Sequence, residues 1–439
     1  MSRLRTGMSL LLLFVAGCTH GPAPAPNATA SAQPARESQA LCLAGVAGDA
    51  PIDRDLAHAQ AGARSMPLHA DGWVAAGRGW VRKARWSADP GFYLNVEGCA
   101  AEALRADPGY VPALELRSLV LMNNHQFEPA RALAEQILQR SPDSVVANGT
   151  LSDAALELGR YDLAAQAAQA QMDARPGMAA FSRAAYLNWL KGDTRSAKLF
   201  IRDALKDRNP ADPEAAAWTF VEAGMMYWQQ GDYDGADAIF SEALRWVPDY
   251  PAALAGRGRV ALAKGDAKAA IEDFSGAQRR HPLVETAWLL GDAYTQAHDA
   301  RRAQQAYAEA ERLGRRGDRF TWALFLASKN RDAAQAVRLL EAERATRGGV
   351  YVDDAYAWAL YRAGRLDEAR RASTQALRLG TRDARLLFHA GAIALATGEP
   401  ARGRDLIGQA LALNPGFDQG GAEEARRLLA ADARFVTGR

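Results

Sequence analysis

The chain has 439 residues, of which 49% are hydrophobic but only 8% are aromatic. This composition excludes a disordered chain, collagen and a disulfide-rich scaffold. The 53 basic and 51 acidic side chains give a net charge of +2, without the basic excess that a nucleic-acid surface needs. Much of the apolar content is alanine, a strong helix former and a poor core filler, so we predict many closely packed helices.

The first 17 residues have the layout of a secretion signal. Arg3 and Arg5 precede an apolar run, Leu10–Val15, which is too short to span a bilayer. The run ends in the small residues Ala16 and Gly17, as cleavable signals do. We therefore predict a signal peptide over residues 1–17.

The four residues Val15-Ala16-Gly17-Cys18 resemble the bacterial lipobox. The resemblance implies that Cys18 is lipidated and becomes the new N-terminus, and several acyl chains would anchor it stably. Thr19 follows, not aspartate, which in lipoproteins of Gram-negative bacteria implies the outer membrane, with the chain facing the periplasm. The alternative is an ordinary signal that contains a cysteine.

Two further segments precede the regular part of the chain. Residues 18–40 are rich in proline and alanine and cannot build a core, so we predict an extended tether. Residues 41–76 include an amphipathic stretch near Ile52–Arg64 and are predicted to cap the N-terminal end of the regular part.

Prolines recur through the rest of the chain with a fixed period. Four are each 34 residues apart, and the same spacing separates two later ones. These are Pro108, Pro142, Pro176 and Pro210, then Pro248 and Pro282, with Pro415 close to four periods further on. This period is typical of a repeated helix pair in which proline ends the second helix.

The residues within each period also recur. A small residue and an aromatic residue mark the first helix, alanine and an aromatic residue mark the second, and Gly-Asp or Gly-Arg turns separate them. The clearest copy contains Phe220, Ala223, Gly224, Tyr227, Ala236, Phe240, Ala243 and Pro248. Over roughly residues 77–417 the chain resembles the tetratricopeptide repeat family. The resemblance implies an all-α fold, a right-handed α-solenoid of stacked helix pairs.

We predict about ten such units with capping helices at both ends. They begin near Gly77, Val111, Val145, Ala179, Ala217, Pro251, Val284, Gly317, Val350 and Ala384. The repeat solenoid then covers residues 77–417, and residues 418–439 form a C-terminal capping helix and tail.

Sequence motifs for catalysis or cofactor binding are absent. The chain has no H-E-x-x-H, C-x-x-C, Walker-type loop or G-x-S-x-G. Gly256-Arg257-Gly258 lies inside a predicted first helix, where it indicates close helix packing. The seven histidines are scattered over the chain and largely over different repeats, so few of them can converge. We predict no enzyme activity, no cofactor and no metal site.

Two cysteines remain besides Cys18. Cys42 lies in the capping segment and Cys99 lies on the second helix of the first repeat. In an oxidising periplasm they are able to pair, and a bridge would tie the end of the solenoid to its body. Two separate free thiols are the alternative, because the sequence does not give the Cα separation.

The first helices carry large apolar side chains outside their core stripe. In the resembled family this second stripe lines a concave groove, so we predict a groove for an amphipathic helix or an extended peptide. The candidates are Trp218, Val221, Met225 and Trp228, then Trp288 and Asp292, then Trp358 and Tyr361. Two alternatives stay open: neighbouring helices bury these side chains, or the tether lies in the groove.

Charge is uneven along the repeats. Residues 208–250 carry eight acidic and two basic side chains, whereas residues 301–347 carry six acidic and eleven basic ones. Such a bias orients a partner, pairs solenoids head to tail, or forms solvated faces. We predict a lipid-anchored periplasmic scaffold for a protein partner in envelope assembly, export or peptidoglycan regulation. The alternative is a self-associating structural lipoprotein, a homo-oligomer without a distinct client.

Overall fold

The computed structural model describes residues 33–436, with side chains over residues 36–430. These residues form 23 α-helices and a 3-10 turn at Pro90–Phe92, and the described part has no strand. The predicted all-α solenoid of paired helices is confirmed. The first twelve helices are α1 (Gln33–Cys42), α2 (Pro51–Ser65), α3 (Ala70–Ser87), α4 (Tyr93–Ala106), α5 (Val111–Asn123), α6 (Phe127–Arg140), α7 (Val145–Glu157), α8 (Tyr161–Ala174), α9 (Met178–Leu190), α10 (Thr194–Lys206), α11 (Pro213–Gln229) and α12 (Tyr233–Trp246). The others are α13 (Pro251–Lys264), α14 (Ala267–Arg280), α15 (Val284–Gln296), α16 (Ala300–Gly314), α17 (Arg319–Ser328), α18 (Ala333–Arg344), α19 (Val350–Arg362), α20 (Leu366–Ala376), α21 (Ala384–Ala396), α22 (Pro400–Leu413) and α23 (Gln419–Val436).

Ten consecutive helix pairs run from α3–α4 to α21–α22, and the two helices of each pair pack together. Nine of the first helices begin within about four residues of the predicted starts. The first pair begins at Ala70 and not near Gly77, because Gly77 lies inside α3, where it packs against Leu116. The helix α1 also begins at Gln33, inside the stretch predicted to be an extended tether.

A residue with left-handed backbone geometry follows the first helix of every pair. This conformation lets the chain reverse and start the second helix within a few residues. The ten residues are Ala88, His125, Gly159, Gly192, Gly231, Gly265, His298, Asn330, Gly364 and Gly398. The Gly-Asp and Gly-Arg turns predicted from the sequence are therefore part of a feature that all ten pairs share.

Aromatic rings of the second helices pack against glycines of the first helices. The ring of Phe240 lies between Gly224 of its own pair and Gly256 of the next, and a Cβ added at either glycine would come within 2.6 Å of the ring. Gly256 therefore allows close helix packing, as the sequence predicts.

The chain divides into two compact units at Pro176 and Gly177. The smaller unit contains α1–α8 and the larger contains α9–α23. Gly177 has an extended backbone, and the amide of Met178 donates to Asp207 Oδ2 at 3.0 Å, so the larger unit caps its own first helix.

Candidate functional site

The eight predicted groove residues lie on the first helices α11, α15 and α19 of the larger unit. Five are buried: Val221, Trp228, Trp288, Asp292 and Trp358. Three are half-buried: Trp218, Met225 and Tyr361. Packing inside the unit accounts for the five buried side chains, which do not form an exposed surface.

Trp228 lies beside a contact between distant repeats. The Asn414 side chain donates to the Trp228 carbonyl oxygen, with 2.7 Å between Nδ2 and O. The Tyr233 hydroxyl donates to Asn414 Oδ1 at 2.6 Å and accepts from the Gly416 amide at 2.9 Å. The fifth pair of helices therefore contacts the loop after the tenth, and we call these four residues the latch.

A second contact of the same kind joins the fourth pair to the loop after the ninth. The Thr381 hydroxyl donates to the Leu190 carbonyl oxygen at 2.5 Å, and Thr381 is buried. A Cβ on Gly192 would lie 2.4 Å from the Gly380 carbonyl oxygen. Nothing in the repeat period indicates these contacts, and the larger unit closes on itself through them.

Asp292 is a partner in an internal ion pair. It accepts a hydrogen bond from the Tyr307 hydroxyl at 2.6 Å and pairs with the ammonium group of Lys329. Burial raises the pKa of Asp292, and burial together with the Asp292 charge raises the pKa of Tyr307 to about 12. Burial by itself lowers the pKa of Lys329. The charges of Asp292 and Asp418 outweigh this effect, so the pKa is raised overall. Asp292 therefore connects α15 with the helix that follows it and with the end of α17.

Trp358 packs within a stack of planar groups. His389 lies parallel to its ring with 4.0 Å between centroids, and the Arg362 guanidinium lies 4.2 Å from the Trp358 ring centroid. His389 Nδ1 is 3.0 Å from both carboxylate oxygens of Asp354. Tyr361 stacks on Trp358 as well, at 5.0 Å.

Buried indole N–H groups in the larger unit lack hydrogen-bond acceptors. Among the described side chains these groups belong to Trp218, Trp228, Trp288, Trp322 and Trp358. In the smaller unit, by contrast, Trp73 donates to the Pro67 carbonyl at 2.9 Å and Trp80 to the Cys42 carbonyl at 2.8 Å.

The two cysteines outside the signal meet in the smaller unit. Cys42 at the end of α1 and Cys99 on α4 form a disulfide, with a Cα–Cα distance of 4.7 Å, and both are fully buried. Gly98 makes room for this contact, because a Cβ there would lie 2.7 Å from the Ser38 carbonyl oxygen. The disulfide joins α1 to the first helix pair.

Three further points concern the lipid anchor, membrane-spanning helices and metal sites. Cys18 and the signal peptide lie outside the described residues. Within residues 33–436, no helix is long and apolar enough to cross a bilayer. No group of three or more His, Cys, Asp or Glu side chains in the described part is arranged to hold a metal ion.

Three segments of the chain match the family model of the tetratricopeptide repeat: residues 115–179, 221–284 and 355–416. These segments fall on helix pairs of both compact units. No curated protein sequence matches the chain.

Several solved structures are similar to this chain in fold. The type IV pilus biogenesis factor PilW is 17% identical with a TM-score of 0.40, and the match covers 46% of this chain and 92% of PilW. A human IFIT1 dimer with PPP-AAAA is 13% identical with a TM-score of 0.45, covering 86% of this chain and 94% of IFIT1. Yeast Tom70 is 14% identical with a TM-score of 0.38, covering 88% and 97%. These likenesses concern the fold alone.

Proposed function

We propose, from the premise that this chain carries tetratricopeptide repeats, that it is a lipid-anchored scaffold which binds a protein partner in the periplasm. Stacked repeats of this kind present extended surfaces for protein partners. The role fits an assembly, export or peptidoglycan-regulating complex of the cell envelope. The observation that carries the proposal is the series of ten consecutive helix pairs, in which three segments match the tetratricopeptide repeat model.

A polypeptide ligand fits the half-buried candidates Trp218 and Tyr361 of the predicted groove. An extended peptide presents apolar side chains and main-chain carbonyl oxygens at regular intervals, which suits such a surface. Trp228, Trp288 and Trp358 are buried by packing inside the larger unit and do not contact such a ligand directly.

The anchor rests on the sequence near Cys18. The lipobox-like residues Val15–Cys18 follow a basic and then an apolar segment, in the order that lipoprotein signals have. A Cys18→Ala variant is expected to leave the outer-membrane fraction and to appear in the periplasmic or unprocessed fraction. Unchanged fractionation with the outer membrane would contradict the anchor.

The binding role is tested by recovering partners from crosslinked envelopes. A Trp218→Ala variant truncates a half-buried candidate of the predicted groove. We expect it to recover about tenfold less partner than the wild type while its helix content stays unchanged by circular dichroism. Trp86→Ala is the matched control, because Trp86 is an exposed tryptophan of the smaller unit.

Two outcomes would change the conclusion. If the crosslinked protein recovers only further copies of itself, the self-associating structural lipoprotein replaces the scaffold. Light scattering would then show a molar mass that rises with concentration. If Trp218→Ala loses stability and keeps its partner, the Trp218 side chain has a packing role only.

A further inference from the structure

The loop between α2 and α3 carries an exposed apolar tip. Met66 is 54% exposed, Leu68 is 86% exposed, and Pro67 between them is exposed as well. Leu68 is the most exposed large hydrophobic side chain in the described part of the chain. Single apolar residues are ordinary on a protein surface, but three in succession at the end of a loop present a continuous apolar surface. We call Met66, Pro67 and Leu68 the apolar tip.

Hydrogen bonds hold the main chain of the apolar tip. The Met66 amide donates to the Gly62 carbonyl at 3.3 Å, and the His69 amide donates to the Met66 carbonyl at 3.0 Å. The indole of the buried Trp73 donates to the Pro67 carbonyl at 2.9 Å, and proline has no amide hydrogen. Because these main-chain groups are already paired, they add little desolvation cost when the tip enters an apolar medium. The apolar tip is therefore a fixed projection that suits such a medium.

The chain enters the smaller unit at the edge where α4 ends. The Asn95 side chain, at the start of α4, donates to the Leu41 carbonyl near the end of α1 at 2.8 Å. Earlier in α1, the Ser38 hydroxyl donates to Glu102 near the end of α4 at 2.5 Å. The two helices are therefore antiparallel, and the start of α1 lies beside the end of α4.

The apolar tip lies at this same edge. It directly precedes α3, and the hydroxyl of Tyr110, which follows α4, donates to Asp71 in the first turn of α3. The start of α3 and the end of α4 are therefore neighbours. Leu94, at the start of α4, is 58% exposed at the opposite edge of the smaller unit. The chain thus enters the smaller unit on the side of the apolar tip and away from Leu94.

The predicted lipid anchor is close to this edge along the chain. Cys18 precedes Gln33, the first residue of α1, by 15 residues, which span at most about 50 Å. An anchor at Cys18 would therefore keep the edge that carries the apolar tip near the bilayer. A protein partner usually covers about 800 Å² of surface, more than three residues provide, whereas a lipid surface needs no complementary shape. These observations favour lipid as the occupant.

We propose that the apolar tip inserts into the lipid surface to which Cys18 anchors the chain. Met66 and Leu68 enter the apolar region below the headgroups, while Arg64 and His69, exposed on either side of the tip, stay at the headgroups. The proposal rests on the lipid anchor in the proposed function and adds a second, non-covalent contact with the membrane. The anchor holds the chain at the membrane, and the two contacts together fix which edge of the smaller unit faces it.

Two labelled variants of the lipidated full chain test this proposal. Leu68→Cys and Leu94→Cys each add one thiol, and Cys42 and Cys99 are already joined in a disulfide. Each new thiol carries a fluorophore, and the chain is reconstituted into vesicles of phosphatidylethanolamine and phosphatidylglycerol. We expect lipids with a nitroxide on the acyl chain to quench the probe at position 68 about threefold more strongly than the probe at position 94. Leu94 is the matched control, because it is an exposed leucine of the same unit at the opposite edge.

Met66→Cys is a second position in the apolar tip, keeps the test valid if Leu68→Cys fails to fold, and should be quenched as well. Equal quenching at positions 68 and 94, or none at either, would overturn the insertion and leave the anchor standing. If the tip is not quenched in vesicles but is shielded from iodide in whole envelopes, a protein partner covers it and the lipid contact is wrong. Mass spectrometry that finds no lipid on Cys18 would overturn the anchor and this inference together.

Discussion

The Asn414 side chain donates a hydrogen bond of 2.7 Å to the main-chain carbonyl of Trp228, although 186 residues separate the two positions. Asn414 is fully buried and also accepts from the Tyr233 hydroxyl. The loop after the tenth helix pair thus supplies a hydrogen-bond donor to the last turn of α11, the first helix of the fifth pair. The latch closes the larger unit, and its contribution to the free energy of unfolding can be measured.

Asn414→Ala is expected to destabilise the larger unit by about 2 kcal/mol, because it removes a buried donor to the Trp228 carbonyl, which keeps the Gly231 amide, and leaves the Tyr233 hydroxyl without an acceptor. Hydrogen exchange should become faster over residues 228–233. Gln409→Ala, at an exposed position on α22, is the control and should change stability by less than about 0.5 kcal/mol. Equal effects of the two substitutions would mean that the latch contributes nothing beyond an ordinary surface contact.

Glycines of the repeats should respond to alanine in opposite ways. In Gly256→Ala the new Cβ would lie 2.4 Å from the Phe240 ring, which should cost about 3 kcal/mol. Gly408 lies inside α22 with no atom within 4 Å of an added Cβ, so Gly408→Ala should stabilise by about 0.5–1 kcal/mol. Urea denaturation of both variants measures the difference. A loss of stability in Gly408→Ala would contradict the prediction and would mean that an added Cβ is not accommodated at this position of α22.

The raised pKa of Asp318 predicts that the stability of the folded chain depends on pH. Burial raises its pKa from an ordinary 3.8 to about 6 in the folded chain. The folded state therefore holds the proton more tightly than the unfolded state, and stability falls as the pH rises from about 4 to about 6. Asp318→Asn keeps the acceptor for the Thr321 amide and removes the titration. We expect the variant to gain about 3 kcal/mol relative to the wild type between pH 4 and pH 7.

The control for that prediction is Asp332→Asn. Asp332 caps the next helix through the Gln335 amide, at 2.8 Å, but is exposed. Burial is the main difference between the two capping aspartates, and denaturation curves of both variants at several pH values separate its effect. A difference between wild type and Asp318→Asn that stays constant with pH would contradict the raised pKa.

The disulfide should stabilise the smaller unit. A loop of 57 residues between Cys42 and Cys99 corresponds to about 4 kcal/mol on the chain-entropy estimate. In a Cys42→Ser/Cys99→Ser variant we expect faster hydrogen exchange over α1–α4. Exchange in α21 and α22 serves as the internal control, since these helices belong to the other compact unit. Unchanged protection of α1 would show that its side-chain contacts, such as Ser38 with Glu102, suffice to hold it.

The sequence by itself determined the repeat. Proline, small and aromatic residues recur every 34 residues because each helix pair must turn, approach its partner closely and end at the same places. These requirements are local, so the nine later pairs begin close to where the pattern predicts. The first pair, which lacks the matching glycine, is the one whose start at Ala70 was missed.

Only the tertiary structure decided which helices contact each other across many intervening repeats. The contacts of Asn414 with Trp228 and of Thr381 with Leu190 arise from curvature that accumulates over successive pairs. Small differences in packing at each step set that curvature, and no short motif records their sum. The burial of Trp228, Trp288 and Trp358 and the division at Gly177 result from packing between whole repeats and could not be predicted from the period.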